Sequence, residues 1–245
     1  MFLNLVAVFF IGLIAGFVGA VAGGGGLISI PFLIFLGLPP QIAIATSKFG
    51  GVGLSFGAII KFFKEKKIAW KYIPFLIIIS LVGGYIGANI LLAIKSEVLS
   101  KVVGIILILL LPTLFIKKEI GLENKVVTKK RKALGFFIYF LIMTFGGFFG
   151  GVGSLAIYTL MFFLGLTIIK ANATDVVPWF FMSLFASIIF MLNGIIDYQY
   201  GIIIFFGMMV GGYIGARTAI KKGNKWVKLV FAMVIIASAI KILFF

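Results

Sequence analysis

Val82-Gly83-Gly84-Tyr85-Ile86-Gly87-Ala88 returns unchanged as Val210-Gly211-Gly212-Tyr213-Ile214-Gly215-Ala216. At the same offset Ala43-x-Ala45-Thr46 recurs as Ala171-x-Ala173-Thr174, and Phe35-Leu36-Gly37-Leu38 recurs as Phe163-Leu164-Gly165-Leu166. One such block is weak in so apolar a chain, but three in one ungapped register mark a duplicated unit. Duplicated halves are a habit of membrane transporters. The small-residue spacing of the seven-residue blocks predicts close helix contact, with Tyr85 and Tyr213 as candidate gates.

Composition places the chain in a membrane. Of 245 residues, 63% are hydrophobic and 11% charged, and mean hydropathy is +1.28, whereas about a quarter of an average soluble domain is charged. The apolar stretch from Met1 to Val21 has no basic leader and no cleavage signature, so it is read as a retained helix. Cysteine and histidine are absent, which excludes disulfides, thiol nucleophiles, imidazole metal ligands and histidine proton relays. No metal and no cofactor are expected. The excess of 22 Lys+Arg over 6 Asp+Glu lies in short connectors rather than on a folded basic surface, so nucleic acid is not the expected partner; the lipid bilayer is.

Apolar runs of spanning length, about twenty residues, occupy 2–21, 42–63, 70–94, 98–116, 133–149, 168–192, 199–220 and 226–245. Two shorter runs, 27–38 and 155–166, each follow a glycine cluster, and the pattern leaves open whether they cross or re-enter. Connectors 61–71 and 117–132 are rich in Lys and Arg, as is 217–228, and are expected in the cytoplasm; 95–101 and 193–200 fit the outside. When the halves are superposed in the register of the repeated blocks, an inside connector falls on an outside one. The expected fold is therefore an all-α polytopic membrane protein of two inverted repeats, each with about five helical segments and short or broken helices near the midplane. Its parts are a first repeat, 1–116, a basic cytoplasmic linker, 117–132, and a second repeat, 133–245.

Non-helical backbone at membrane depth is tolerated only against protein or a wet cavity, which makes helix breakers informative. One pair of breaks is Gly23-Gly24-Gly25-Gly26 and Gly150-Gly151-Val152-Gly153; a second is expected after the Ala-x-Ala-Thr blocks, where Gly50 and Pro178 are equivalent. Helix N-termini meeting there would turn unpaired amides on one cavity suited to an anion. Gly24, Gly25, Gly26 and Gly153 are candidate cavity backbone, while Gly16, Gly19 and Gly147 read as packing seams. Ser47, Thr46, Asn172, Thr174 and Ser154 are candidate neutral ligands. Lys48 would neutralise an anion, pair with Asp175 or snorkel to an interface. Asp175, the acidic residue inside an apolar span, is a candidate proton-coupling site, the plainer reading being an N-cap for a helix from Val176. Trp70 and Trp226 read as interface anchors; Trp179 either lines the cavity or packs.

Gly23-Gly24-Gly25-Gly26-Leu27-Ile28-Ser29-Ile30-Pro31, then Leu36-Gly37-Leu38-Pro39-Pro40, then Ala43-x-Ala45-Thr46-Ser47 resemble the TauE/SafE family of sulfite and organosulfonate exporters, also called the toluene sulfonate uptake permease family. The resemblance covers nearly the whole chain. It implies a transporter of small sulfur-containing or organic anions in a prokaryotic inner or plasma membrane. The second half departs from the pattern, with Val152 inside the glycine run and Asp175 where a small hydroxyl residue is expected. The leading expectation is a secondary transporter of a small oxyanion by alternating access, without enzymatic activity and without the Walker loop of a nucleotide-driven pump. Alternatives are a passive anion channel, an intramembrane enzyme, or a membrane subunit of a larger complex; assembly as a homo-oligomer is left open.

Overall fold

The computed structural model describes residues 2–94, 121 and 123–244. Its helices are α1 Phe2–Ala22, α2 Gly26–Phe35, α3 Pro40–Lys64, α4 Ile73–Ala93, α5 Lys129–Phe148, α6 Gly153–Leu164, α7 Ile168–Leu192 and α8 Tyr198–Phe244, with a 3₁₀ turn at Trp70–Tyr72 before α4. Helix α8 is two arms broken at Gly223, whose φ of 83° and ψ of 175° are non-helical. The connector expected at 217–228 thus contracts to one residue. The span expected at 98–116 and the connector at 95–101 lie outside the described residues.

Six of the described helices are long and apolar enough to cross a membrane. The two short helices have 10 and 12 residues, about 15 and 18 Å long at 1.5 Å per residue, well short of a hydrocarbon core of about 30 Å. Phe10, Phe75, Ile78 and Phe206 are exposed on the outer surface of these helices, apolar exposure that suits contact with a bilayer.

The helix boundaries repeat with the sequence. Shifted by the repeat offset, which carries Val82 onto Val210, α1, α2, α3 and α4 nearly coincide with α5, α6, α7 and the first arm of α8. Packing follows the same exchange: α1 lies along α8 as α5 lies along α4, α3 along α8 as α7 along α4, and α3 meets α7 at the centre. The Val-Gly-Gly-Tyr-Ile-Gly-Ala blocks make these contacts. A Cβ at Gly211 or Gly215 would meet the backbone of Leu13 or Phe17 in α1, and one at Gly83 or Gly87 would meet α5 at Thr144. Close approach of backbones is what small residues permit where lipid tails compete with every side chain. Tyr85, 54% exposed, faces outward against Phe185, away from the interior where a gate is expected.

Direction follows from two hydrogen bonds. Thr46, in the second turn of α3, accepts the Asp197 N–H beyond the end of α7 at 3.0 Å, and Thr174, in the second turn of α7, accepts the Ala69 N–H beyond the end of α3 at 3.0 Å. Each helix starts where the other ends, so α3 and α7 run antiparallel.

The second pair of expected breaks is absent: α3 and α7 run unbroken through Gly50 and Pro178. Gly50 serves contact instead, a Cβ there reaching Met208 and Ile204 of α8 within 3.0 Å. Pro178 deletes one N–H from α7 and sits buried inside it. The cap of α7 is Thr167, which accepts the Lys170 N–H at 3.3 Å. Asp175, well inside the helix, does not cap it.

Candidate functional site

The two glycine turns pack on each other. Gly23 has φ +73° and Gly150 φ +81°, left-handed values that glycine adopts without strain; a Cβ at Gly23 would strike the backbone of Gly153, and one at Gly26 the carbonyl of Gly150. From these turns start α2 and α6, neither with a side-chain cap. The turn carbonyls of Gly24, Gly25 and Val152 take the Leu27, Ile28 and Leu155 N–H groups, which leaves the amides of Gly26, Gly153 and Ser154 as the first-turn donors for a ligand. Beside them is a cavity of about 70 Å³. Its polar walls are Ser47, Lys48 and Ser55 of α3 and Asn172, Asp175 and Ser183 of α7, with Gly25, Gly26, Gly150 and Gly153 from the turns. The crossing of antiparallel helices brings these residues together.

Lys48 is 4% exposed and does not reach an interface. Its ammonium donates to the Gly146 carbonyl and stands 5.2 Å from the Trp179 ring centroid, a cation–π distance. It makes no ion pair with Asp175: among the described residues the ion pair is Lys61–Glu65. Asp175, 3% exposed, accepts the Tyr139 hydroxyl at 2.7 Å. Asn172 donates to the carbonyls of Ala20 and Val21 at 2.5 and 3.1 Å, tying down the end of α1, while its Oδ1 has no partner. Ser47 Oγ is 2.6 Å from Ser29 Oγ of α2.

Comparison with known proteins adds to this geometry. The sequence pattern of the sulfite exporter TauE/SafE family matches residues 8–242. The chain belongs to the TauE/SafE family. A probable membrane transporter protein of Haemophilus influenzae is 28% identical over 96% of this chain and 92% of its own length. The Escherichia coli K12 protein named probable membrane transporter protein YfcA is 28% identical over 97% and 88%. An Arabidopsis thaliana protein named sulfite exporter TauE/SafE family protein 3 is 31% identical over 32% of this chain and 17% of its own length. No solved structure matches.

Of the residues singled out in this TauE/SafE chain, Gly23, Gly25, Gly26, Ser47, Lys48, Gly150, Gly153, Asn172 and Asp175 line the cavity, and so does Gly19, which also packs against Leu54 and the Gly25 backbone. Gly24, Thr46, Ser154 and Thr174 lie outside its walls: the Thr46 and Thr174 hydroxyls hold backbone of the opposite connector, and the Gly24 carbonyl accepts the Leu27 N–H. Trp179 lines the cavity rather than simply packing. Tyr139 escapes a reading of the sequence because it sits in a plain apolar helix; the signal available is its hydroxyl at depth opposite Ile11 in the other half. Ser55 and Ser183, buried hydroxyls of the cavity wall, carry no motif, and Ser29, inside the glycine–proline motif, stands behind the wall against Ser47.

Proposed function

We propose that this TauE/SafE protein is a secondary transporter of small sulfur-containing oxyanions such as sulfite and simple sulfonates. Two inverted halves, 1–116 and 133–245, alternate access about the cavity, and the linker 117–132 joins them. The observation that carries this reading is Lys48, an ammonium buried beside the cavity with a carbonyl and an aromatic face for partners and no carboxylate. A buried charge costs several kcal/mol unless it is paired, and the uncapped starts of α2 and α6 aim further positive potential at the same space. An oxyanion between them completes the site. The antiparallel α3 and α7 support the inverted arrangement, since rocking of inverted repeats about a central site is the common mode of such carriers.

Size restricts the cargo. The cavity, about 70 Å³, exceeds the roughly 10–15 Å³ needed for one water and falls far short of the roughly 300–1,000 Å³ of organic-ligand sites. It favours sulfite or a short sulfonate over an aromatic one. The unpartnered Oδ1 of Asn172 is an acceptor for the hydroxyl of a protonated oxyanion. Asp175 shares the cavity, and its protonation leaves the charge of Lys48 for the substrate, so anion and proton move together.

Thermal unfolding of the detergent-purified protein with an oxyanion panel tests the site, because a ligand of the folded state raises its stability by mass action. Sulfite and methanesulfonate are expected to raise Tm, and toluenesulfonate to leave it unchanged. No shift with any member of the panel would refute the anion site.

A further inference from the structure

A second cavity, of about 440 Å³, is lined by six lysines, Lys66, Lys67, Lys71, Lys125, Lys132 and Lys170, and, among the described residues, by no acidic side chain. It lies where the connector after α3, the linker and the start of α7 converge. The linker is fastened there by two backbone bonds, Lys125 N–H to the Gly165 carbonyl and Ile168 N–H to the Gly121 carbonyl, both 2.8 Å. Glu65, the acidic residue next in the chain to Lys66, is held by Lys61 at 2.6 Å, which keeps its carboxyl below the usual carboxylate range and turned to a partner of its own. Glu65 also acts at longer range on Lys67, yet among the described lining residues the balance stays strongly positive, six lysines against no carboxylate.

Positive connectors orient membrane proteins, and orientation alone asks only that lysines lie on one side. It does not ask for a lysine at position 66. Lys66 has φ 53°, the positive-φ non-glycine residue of the described chain, and its N–H bonds the Phe63 carbonyl while the Lys67 N–H bonds the Phe62 carbonyl. That is a Schellman turn with lysine in the left-handed position where glycine is usual. The other half provides the comparison: at the equivalent position of the second repeat, Gly194 has φ 67° and the same pair of bonds runs from Gly194 to Met191 and from Ile195 to Phe190. One repeat uses the unstrained residue; the other holds a cation over the basin at a steric cost.

We propose that this basin binds a phosphate-bearing polyanion. Six ammonium groups around one open space suit a ligand with several negative oxygens, each lysine acting as a mobile point donor. The volume is several times that of the central cavity and in the range of organic-ligand sites, so the basin is no second copy of the transport site. A soluble polyphosphate and a lipid headgroup share this chemistry.

Thermal unfolding in phosphatidylcholine nanodiscs, titrated with pyrophosphate against chloride at matched ionic strength, tests the proposal. Pyrophosphate is expected to stabilise the native protein and to need at least tenfold higher concentration in the Lys66→Gly/Lys170→Gln variant. Lys66→Gly alone is expected to unfold no earlier than the native chain without ligand, because glycine relieves the turn. Repeating the titration in phosphatidylglycerol nanodiscs separates the sources: loss of the pyrophosphate effect assigns the basin to headgroups and its persistence to a soluble ligand, and both support the site. No pyrophosphate effect in phosphatidylcholine, or an equal effect in the double variant, overturns it. Protection by sulfite reads the central cavity and is expected unchanged in these variants, so either reading can fail while the other stands.

Discussion

Thr46 and Asp197 are joined across the halves by a 3.0 Å hydrogen bond from the Asp197 backbone N–H to the Thr46 hydroxyl, and its twin joins Thr174 and Ala69 at the same distance. The repeat offset carries Thr46 onto Thr174 and Ala69 onto Asp197. The repeats clasp each other reciprocally, each holding the other's connector. Thr174 also donates to the Lys170 carbonyl at 2.6 Å, so its hydroxyl is occupied both as donor and as acceptor.

Removing one clasp is therefore a stability experiment. Thr174→Val strands the Ala69 N–H, a loss of about 1–3 kcal/mol. In a chain of this size that lowers Tm by roughly 2–4 °C per kcal/mol, while sulfite affinity is unchanged. A calorimetric scan with and without sulfite measures both. Weaker sulfite protection at unaltered stability would make Thr174 a ligand.

Lys48→Met separates charge from fold. Truncating one partner of a buried charge pair costs roughly 2–5 kcal/mol of binding, so sulfite protection is expected to vanish. An apolar side chain of similar volume in place of a buried ion is often neutral or stabilising, so Tm without ligand is expected to hold. Titration calorimetry and a thermal scan on the same preparation check the two halves of the statement.

Asp175 and Tyr139 set the pH response. If anion and proton move together, native uptake of methanesulfonate, an anion that does not itself titrate in this range, into proteoliposomes rises as external pH falls, and Asp175→Asn makes that rate independent of pH. Tyr139→Phe removes the donor to the charged carboxylate, which favours the protonated form and displaces the uptake curve toward higher pH without abolishing it. Full pH dependence in Asp175→Asn would remove Asp175 as the coupling site.

The repeated glycines offer a comparison inside one molecule. A Cβ at Gly84 would meet the Met182 side chain, Cγ at 2.6 Å, whereas one at the equivalent Gly212 would meet the Leu54 carbonyl. A methionine side chain can move and a packed backbone cannot. Gly212→Ala is therefore expected to destabilise more than Gly84→Ala, measured as the difference in detergent Tm.

Much of this was legible in the sequence. The glycine runs locate both short helices, and the constant offset between repeated blocks locates the counterpart in the other half of almost every long described one, because duplication preserves spacing; which helices pack together is visible only in the structure. Lys48 and Asp175 stood out because ionisable groups at depth are rare. Gly50 and Pro178 mislead: composition identifies a helix breaker, but α3 and α7 stay continuous, packed against α8 and α4 as well as each other, neighbours that local sequence does not contain. Thr46 and Thr174 looked like ligands for the same reason, since a hydroxyl whose partner is far away in the chain, Asp197 for one and Ala69 for the other, leaves no local trace. Tyr139 is the converse, a residue whose role exists only through Asp175 on another helix.

Counterflow tests the central claim most directly. Proteoliposomes preloaded with unlabelled sulfite and diluted into radiolabelled sulfite are expected to accumulate label transiently and saturably, and those carrying Lys48→Met are expected to behave like protein-free liposomes. Label that enters without saturation or overshoot, or equal counterflow in the Lys48→Met protein, would contradict a carrier built around that lysine.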